Sequence, residues 1–412
     1  MTPAQRLARR IVLGLLDHLR SGQLTIVEDG KRLVFGHGSP QATVEIHSPR
    51  VWPMLLHGSR GMAEAHMDGL WSSPDLTAVV RVGARNVTGL DQWRRRLAPA
   101  RVPLQTVRGI RARNTHARSR RSIAAHYDLG NDFFELMLDE TMMYSSGYFP
   151  RRGMTLAEAS TAKLELVCER LDIGPGDHVL EIGTGWGGFA VHAAKTRGCE
   201  VTTTTISREQ YEHARARVRA AGVEDRVTVL SEDYRDLRGS YEKLVSIEMI
   251  EAVGWRDFGT FFGRCSDLLC SDGSMLLQAI VIDDRAYAVE KASRSFIRTH
   301  IFPNGCLPSL EVMARSVARR TDMRMVGLRD LTPHYAETLR HWRANFDGAA
   351  ARLGDLGYDE RFRRLWRMYL AYCEAGFDER RIGVVQMHLA KPRWHEYAAP
   401  ASAHEAPLAV AS

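Results

Sequence analysis

The sequence predicts an α/β protein in which a Rossmann-like sheet follows a smaller N-terminal α+β domain. The chain has 412 residues, which is more than one domain usually contains. Up to about residue 92, short runs of alternating polar and apolar residues mix with helical stretches. From about residue 122, short apolar runs alternate with helical patterns, which is typical of a parallel sheet covered by helices.

Four segments follow from these changes in pattern. We predict an N-terminal domain (1–92), a basic linker (93–121), the sheet-containing domain (122–395) and a disordered tail rich in Ala and Pro (396–412). Three strands are expected in the first segment, over Gln23–Glu28, Arg32–Phe35 and Ala42–Ile46. Five are expected in the third, over His178–Ile182, Glu200–Ile206, Arg226–Leu230, Lys243–Glu248 and Gly273–Ile280.

The composition is that of a globular protein, with 44% apolar and 25% charged residues. The six cysteines are scattered without a C-x-x-C pair, which indicates a reduced cytosolic protein. Since no His, Cys or carboxylate group has zinc-ligand spacing, we expect no metal. Apolar runs are too short to span a bilayer, so any membrane contact is expected to be peripheral, with residues 1–22 as an amphipathic helix.

The net charge of +7 is concentrated in one stretch. Residues 92–127 contain ten arginines and no acidic residue. Such a stretch is either a solvated linker or an anion-binding strip, for nucleic acid or for phospholipid headgroups. Because no aromatic residue is interspersed among these arginines after Trp93, we expect no nucleic-acid partner and favour headgroups on the inner face of the membrane.

A glycine-rich loop, residues 183–188, directly follows the first strand of the sheet-containing domain and leads into a helix. That arrangement is the first unit of a nucleotide-binding α/β fold, although a tight turn uses glycine even where nothing binds. A dinucleotide-binding fold would place an acid at the tip of the second strand. The tip here, Thr204–Ser207, contains none.

The acids near the loop instead favour S-adenosylmethionine over a nicotinamide. Glu181 precedes the first glycine by two residues, and Asp233 and Tyr234 follow the third strand. Carboxylates suit the amino and sulfonium groups of this cofactor, and an aromatic residue offers a platform for its adenosine. Gly183, Gly185 and Gly187 are the expected loop contacts.

Longer motifs carry a specific resemblance. They are residues 126–134, 142–149, 179–188, 204–210, 248–254, 296–309 and 334–346. In this order they resemble the cyclopropane-fatty-acyl-phospholipid synthase family of S-adenosylmethionine-dependent methyltransferases, over residues 50 to about 392. The resemblance implies transfer of a methyl group to the double bond of an unsaturated phospholipid acyl chain, which closes to a cyclopropane. It also implies an N-terminal domain used for homodimerisation and for contact with the lipid surface.

The resemblance also assigns roles to individual residues. The cofactor pocket would include Tyr144, Ser145, Gly183, Thr205, Ile206, Gln210 and Tyr234. Glu251 and Tyr335 would hold a bicarbonate ion that removes a proton from a carbocation, helped by backbone groups near Ser146 and Ile280. Aromatic rings are candidates to stabilise that cation: Tyr144, Tyr148, Phe149, Phe302 and Tyr335. Glu248 is assigned to the end of the fourth strand, with Glu251 favoured as the catalytic residue over a role as a helix cap near Trp255.

Two positions depart from the family pattern. Ser146 stands where the family commonly has cysteine, and Gln278 where it often has histidine. Glutamine forms hydrogen bonds but cannot carry a proton as imidazole can. This pattern resembles a subgroup that includes plant cyclopropane synthases and actinobacterial enzymes making methylene-branched acids. The alternatives are therefore a methylene-branched product, a soluble substrate, and a lipid-binding protein without activity.

Overall fold

The N-terminal part of the protein is a small α+β unit. The computed structural model describes residues 1–97, 130–292, 295–303 and 305–395. The first helix begins where Thr2 and Gln5 exchange hydrogen bonds between side chain and backbone. The elements are α1 (Pro3–Leu16), β1 (Gly22–Glu28), β2 (Lys31–His37), β3 (Gln41–Ile46), α2 (Val51–Leu55), α3 (Gly58–Met67), β4 (Trp71–Ser72) and α4 (Leu76–Leu97).

These strands form a four-stranded sheet in the order β2-β1-β3-β4. Strand β1 pairs antiparallel with β2 and parallel with β3. Apolar side chains such as Leu24 and Ile26 of β1 and Val44 of β3 are buried. The three strands expected from the alternating pattern are present.

The larger part contains the predicted alternation of strands and helices. It begins with α5 (Asn131–Glu135), α6 (Leu156–Arg170), β5 (His178–Ile182), α7 (Gly188–Arg197), β6 (Glu200–Thr204), α8 (Arg208–Ala221), β7 (Val227–Leu230), β8 (Tyr241–Ile247), α9 (Ile250–Val253) and α10 (Phe258–Leu268). It continues with β9 (Leu269–Ile282), α11 (Asp284–Ala292), α12 (Phe296–His300), α13 (Leu310–Arg320), β10 (Arg324–Asp330), α14 (Thr332–Gly348), α15 (Ala350–Asp355), α16 (Glu360–Asp378) and β11 (Ile382–Ala390).

The main sheet has seven strands in the order β10-β11-β9-β8-β5-β6-β7. Strands β9, β8, β5, β6 and β7 run parallel and match the five predicted strands. Strands β10 and β11 were not predicted, and they are added antiparallel at one edge. The carboxyl ends of β5, β6, β8 and β9 therefore meet at one edge of the sheet, where ligands bind in folds of this type.

The N-terminal unit is joined to the larger part through helix α16. The buried Glu374 of α16 accepts hydrogen bonds from Thr77 of α4 and from Arg340 and Arg343 of α14. Glu379, just after α16, pairs with Arg81 of α4 at 2.7 Å. One hydrophobic core runs through both parts. These contacts hold the N-terminal unit against the larger part.

Helix α4 passes the predicted domain boundary at residue 92 and ends at Leu97. The rest of the predicted linker, including the arginines from Arg101 to Arg121, lies outside the described residues, as does the predicted tail. Both assignments stay predictions. Among the helices that the structure describes, none is long and apolar enough to cross a membrane.

The contact between helices α2 and α3 gives a stability test. A Cβ added at Gly61 in α3 would overlap the carbonyl oxygen of Met54 in α2. We expect Gly61→Ala to lower the free energy of unfolding by about 1–3 kcal/mol. The control is Gly14→Ala in α1, where a Cβ meets nothing within 4 Å and helix propensity predicts a small gain in stability. Equal midpoints for the two variants in urea unfolding would contradict this packing.

Candidate active site

A cavity of about 1240 Å³ lies at the carboxyl ends of the parallel strands and extends under the N-terminal unit. This volume exceeds what a drug-sized ligand usually needs. Polar residues of the main sheet line one end, and apolar residues of α1, β1, β3 and α4 line the other. The cavity can therefore hold a polar ligand and an apolar ligand side by side.

The glycine loop after β5 forms part of the polar end. Gly183 and Gly185 line the cavity with φ angles of +106° and +53°, values that side-chain-bearing residues rarely adopt. Gly187 was also expected to contact the cofactor, but it does not line the cavity. A Cβ at Gly187 would lie 3.2 Å from Ala214 Cβ, so this glycine allows α7 and α8 to pack closely.

Ten of the eleven residues predicted to bind the cofactor line this cavity: Tyr144, Ser145, Glu181, Gly183, Gly185, Thr205, Ile206, Gln210, Asp233 and Tyr234. Thr205 Oγ1 donates to Gln210 Oε1 at 2.9 Å, which fixes the glutamine. Asp233 pairs with Arg235 at 2.6 Å, and Tyr234 packs against Phe261. The strand tips thus bring residues from four separate motifs to one polar pocket.

A buried lysine lies behind this pocket and was missed in the sequence. Lys163 of α6 is fully buried and donates to Ser145 Oγ at 2.8 Å. Burial lowers its pKa to about 8, against the attraction of nearby carboxylates that include Glu248 and Glu181. Burial also raises the pKa of Glu181 to about 8, although Thr203 Oγ1 donates to it at 2.6 Å. The helical spacing of Ser160, Lys163 and Val167 could have revealed this lysine, because all three lie on the buried face of α6.

Glu248 accepts hydrogen bonds from three parts of the chain. Its Oε1 accepts from the Ser146 backbone N–H at 2.9 Å and from Gln278 Nε2 at 2.8 Å. Its Oε2 accepts from the Tyr335 hydroxyl at 2.7 Å. Glu248 follows β8 directly, as expected, and its side chain also lines the cavity and joins the end of β8 to β9 and α14.

Glu251 lies beside the Ile280 backbone, the group that the resemblance placed near it. Its Oε1 accepts from the Ile280 backbone N–H at 2.5 Å, whereas Tyr335 bonds to Glu248. Oε2 of Glu251 is buried and has no hydrogen-bond partner among the described residues. Burial and the neighbouring charge of Glu248 raise the pKa of Glu251 to about 8. Glu251 does not cap helix α10, because no side chain that the structure describes forms a hydrogen bond at the N-terminus of this helix.

The expected bicarbonate does not fit this arrangement. Glu251 and Tyr335 were expected to hold that ion, helped by backbone groups near Ser146 and Ile280. The Ser146 N–H and the Tyr335 hydroxyl instead donate to Glu248, together with Gln278, and the Ile280 N–H donates to Glu251. Carboxylates of the protein therefore satisfy the donors that would bind a free anion.

Aromatic rings surround the apolar side of the carboxylate pair. Tyr144, Phe302 and Tyr335 line the cavity. Tyr144 stacks on Trp342 with ring centroids 5.2 Å apart, and its hydroxyl lies 2.8 Å from that of Tyr369. The other two candidate rings, Tyr148 and Phe149, do not line the cavity and pack against histidines of α14.

The glycine loop, the residues at the strand tips and the large cavity beside them define an S-adenosylmethionine-dependent methyltransferase. A model of the family described as mycolic acid cyclopropane synthetase matches residues 114–387. The chain belongs to this cyclopropane synthase family, as the sequence motifs implied.

Two named relatives are similar to this protein over most of its length. Tuberculostearic acid methyltransferase UfaA1 of Mycobacterium tuberculosis is 38% identical, over 87% of this chain and 87% of its own. Cyclopropane-fatty-acyl-phospholipid synthase of Escherichia coli is 34% identical, over 85% and 88%. The structure of mycolic acid cyclopropane synthase CmaA1 complexed with SAH and CTAB matches with a TM-score of 0.62 at 31% identity, over 66% of this chain and 98% of its own.

The glycine loop gives a test of cofactor binding. A Cβ at Gly183 would combine an unfavourable φ with a 3.3 Å approach to Met249 Cβ, and would disturb the loop where it borders the cavity. We expect Gly183→Ala to weaken binding of S-adenosylhomocysteine about tenfold or more, measured by titration calorimetry. Gly174→Ala, in the turn before β5 with nothing within 4 Å of its Cβ, is the control and should bind as the wild type does. Equal affinities for all three proteins would count against the assigned pocket.

The raised pKa of Glu251 predicts a pH-dependent stability. The folded protein keeps this proton up to about pH 8, whereas the unfolded chain releases it near the ordinary value of 4.5. Raising the pH from 5 to 8 therefore favours unfolding, by at most about 1.4 kcal/mol per pH unit. We expect Glu251→Gln, which lacks this ionisation, to become progressively more stable than the wild type over that range.

Urea unfolding at several pH values measures this difference. Glu224→Gln, at an exposed site, is the control. A gap between wild type and Glu251→Gln that stays constant from pH 5 to pH 8 would rule out a protonated Glu251.

Proposed function

We propose that the protein transfers a methyl group from S-adenosylmethionine to the double bond of an unsaturated phospholipid acyl chain, which then closes to a cyclopropane. The observation that carries this proposal is the continuity of the cavity from the glycine loop to an apolar arm under the N-terminal unit. The similarity to the E. coli cyclopropane-fatty-acyl-phospholipid synthase, over 85% of this chain, supports the same substrate class.

The apolar arm suits a hydrocarbon chain. Its walls include Leu16, Leu24, Ile26, Val44, Trp52 and Val80. Each CH₂ group transferred from water to such surroundings contributes about 0.8 kcal/mol. A long acyl chain could therefore be held by this arm while its double bond lies near the cofactor pocket.

The residues near the carboxylates suit methyl transfer to an alkene. An alkene is a weak nucleophile, so the methyl donor and the double bond must be held close together in a dry site. Attack leaves a positive charge on the acyl chain, which the rings of Tyr144, Phe302 and Tyr335 can stabilise. Bicarbonate has no part in this proposal, because Glu248 already takes the hydrogen bonds expected to hold it.

Access to such a substrate requires contact with a membrane. Leu15 and Leu16 at the end of helix α1 line the cavity, and Leu7 of the same helix is 61% exposed. An amphipathic helix beside an apolar cavity can lie in the headgroup region and guide a chain inward. This supports a cytoplasmic protein that associates peripherally with the inner face of the membrane.

A methylene-branched acyl chain is the second candidate product. The product depends on which proton the cation loses, and therefore on where the base lies. Glu248 is held by three hydrogen bonds, and Gln278 replaces the family's histidine. The 38% identical relative is named a tuberculostearic acid methyltransferase, which also favours this alternative.

The test is incubation of the protein with S-adenosylmethionine and vesicles of dioleoyl phospholipid, followed by mass spectrometry and proton NMR of the acyl chains. We expect a gain of one CH₂ and high-field ring protons. Vinyl protons would identify the methylene-branched product instead. An unchanged lipid, together with normal cofactor binding, would overturn the proposal in favour of a soluble substrate.

A variant that narrows the apolar arm tests whether the acyl chain of the substrate binds there. Ala84 of α4 lines the cavity and is half-buried. We expect Ala84→Phe to lower methylation of oleoyl chains at least tenfold while affinity for S-adenosylhomocysteine stays unchanged. The control is Ala314→Phe on the exposed side of α13. If both variants methylate lipid as the wild type does, the arm does not hold the acyl chain.

A further inference from the structure

We infer that the carboxylate of Glu248 is the base of this enzyme and replaces the free bicarbonate ion expected from the family resemblance. The inference rests on the proposed function, since it names the group that removes the proton in that reaction. Two of the donors expected around a bicarbonate, the Ser146 N–H and the Tyr335 hydroxyl, contact the side chain of Glu248, as does the Gln278 amide. A third, the Ile280 N–H, contacts Glu251.

The hydrogen bonds are directed so that they hold an anion. The Ser146 backbone N–H can only donate, so Oε1 must accept from it. Gln278 is oriented by Gln386, whose Nε2 donates to Gln278 Oε1 at 3.0 Å, and this leaves Gln278 Nε2 to donate to Glu248. Tyr335 supplies its hydroxyl proton to Oε2. Glu248 thus receives three donors on its two oxygens.

The backbone of Glu248 has an uncommon conformation. Its φ angle is +51°, in the left-handed region that glycine adopts most readily. Asp172, which does not line the cavity, has a similar φ of +50°, so this conformation alone does not mark a functional residue. What distinguishes Glu248 is that its side chain also lines the cavity and accepts three hydrogen bonds.

The neighbouring charges separate the roles of the two glutamates. Glu251 has one donor and its pKa is raised to about 8, so its proton is retained near neutral pH. Burial raises the pKa of Glu248 as well, but three hydrogen bonds and the charge of Lys163 oppose that rise. When two neighbouring carboxyl groups differ in this way, the one with fewer hydrogen-bond donors keeps its proton and the one with more donors is ionised. Glu248 is the ionised one and can accept a proton, while Glu251 keeps its own.

The π electrons of the double bond form a bond to the methyl carbon, and the carbon–sulfur bond breaks with its electron pair remaining on sulfur. A C–H bond of the new methyl group then breaks, and its electron pair closes the ring. Its proton moves to Oε2 of Glu248, the oxygen with a single donor. Glu248 returns this proton to solvent after the product leaves, so no further reactant is needed.

Removal of bicarbonate tests the inference in the wild type. The lipid assay is run in buffer stripped of carbon dioxide and again with 10 mM bicarbonate. We expect rates that agree within twofold. A rate that falls tenfold on stripping and returns with bicarbonate would overturn the inference.

Substitutions at Glu248 test its role directly. Glu248→Gln keeps the shape but cannot accept the proton, so we expect kcat to fall about 100-fold to 10,000-fold with S-adenosylhomocysteine affinity unchanged. Glu248→Gly removes the side chain, suits the φ angle, and leaves the donors of Ser146, Gln278 and Tyr335 free for a small anion. We expect bicarbonate to restore activity to this variant in a saturable manner. Retention of activity by Glu248→Gln within threefold would overturn the assignment.

Asp172→Gly is the matched control. Asp172 also has a positive φ, +50°, but does not line the cavity. This variant should show wild-type activity and no response to bicarbonate.

Carbon-13 NMR of labelled bicarbonate separates this inference from the proposed function, since it needs no turnover. We expect the Glu248→Gly variant to bind the ion and the wild type not to bind it. If the wild type binds bicarbonate, the inference is wrong whether or not lipid is methylated. If the wild type binds none and Glu248→Gly does, but no lipid is methylated, the site assignment stands and the proposed substrate fails.

Discussion

The burial of charge at the carboxyl ends of the parallel strands is the constraint on which the site depends. Charged groups removed from water need partners, because an unpaired charge in the interior is costly. Glu248 finds its partners on the loop at Ser146, on β9 and on α14, and Lys163 lies close enough to offset its charge. Elements far apart in the chain are therefore held in place by one carboxylate.

A second set of contacts fixes the apolar half of the cavity. Glu374 of α16 is buried where this helix meets α4 and α14, and it accepts hydrogen bonds from Thr77, Arg340 and Arg343. These bonds hold α4 in place, and α4 supplies a wall of the apolar arm. Polar networks thus hold in place both the polar end and the apolar arm of the cavity, an arrangement that suits the charged cofactor and the hydrocarbon chain proposed for it.

Much of the fold could be predicted because the relevant signals are local. The five parallel strands are short apolar runs bounded by turns, and the cofactor residues follow the strand ends directly. Strands β10 and β11 were missed because β10 is largely exposed and neither strand belongs to an alternating strand–helix unit. Gly187 does not line the cavity, and the sequence could not show this because a glycine needed for packing against Ala214 has the same signature as one that borders a ligand.

The sequence by itself determined the type of fold, the cofactor pocket and the family, since motif order and strand-end residues are properties of the chain alone. Only the tertiary structure decided which glutamate receives the donors. Glu248 and Glu251 are three residues apart, and no local pattern distinguishes them. Ser146, Gln278 and Tyr335 donate to the side chain of Glu248, whereas among the described residues only the Ile280 N–H donates to that of Glu251. Hydrogen bonds between distant segments set the charge of a buried group, and sequence spacing carries no information about them.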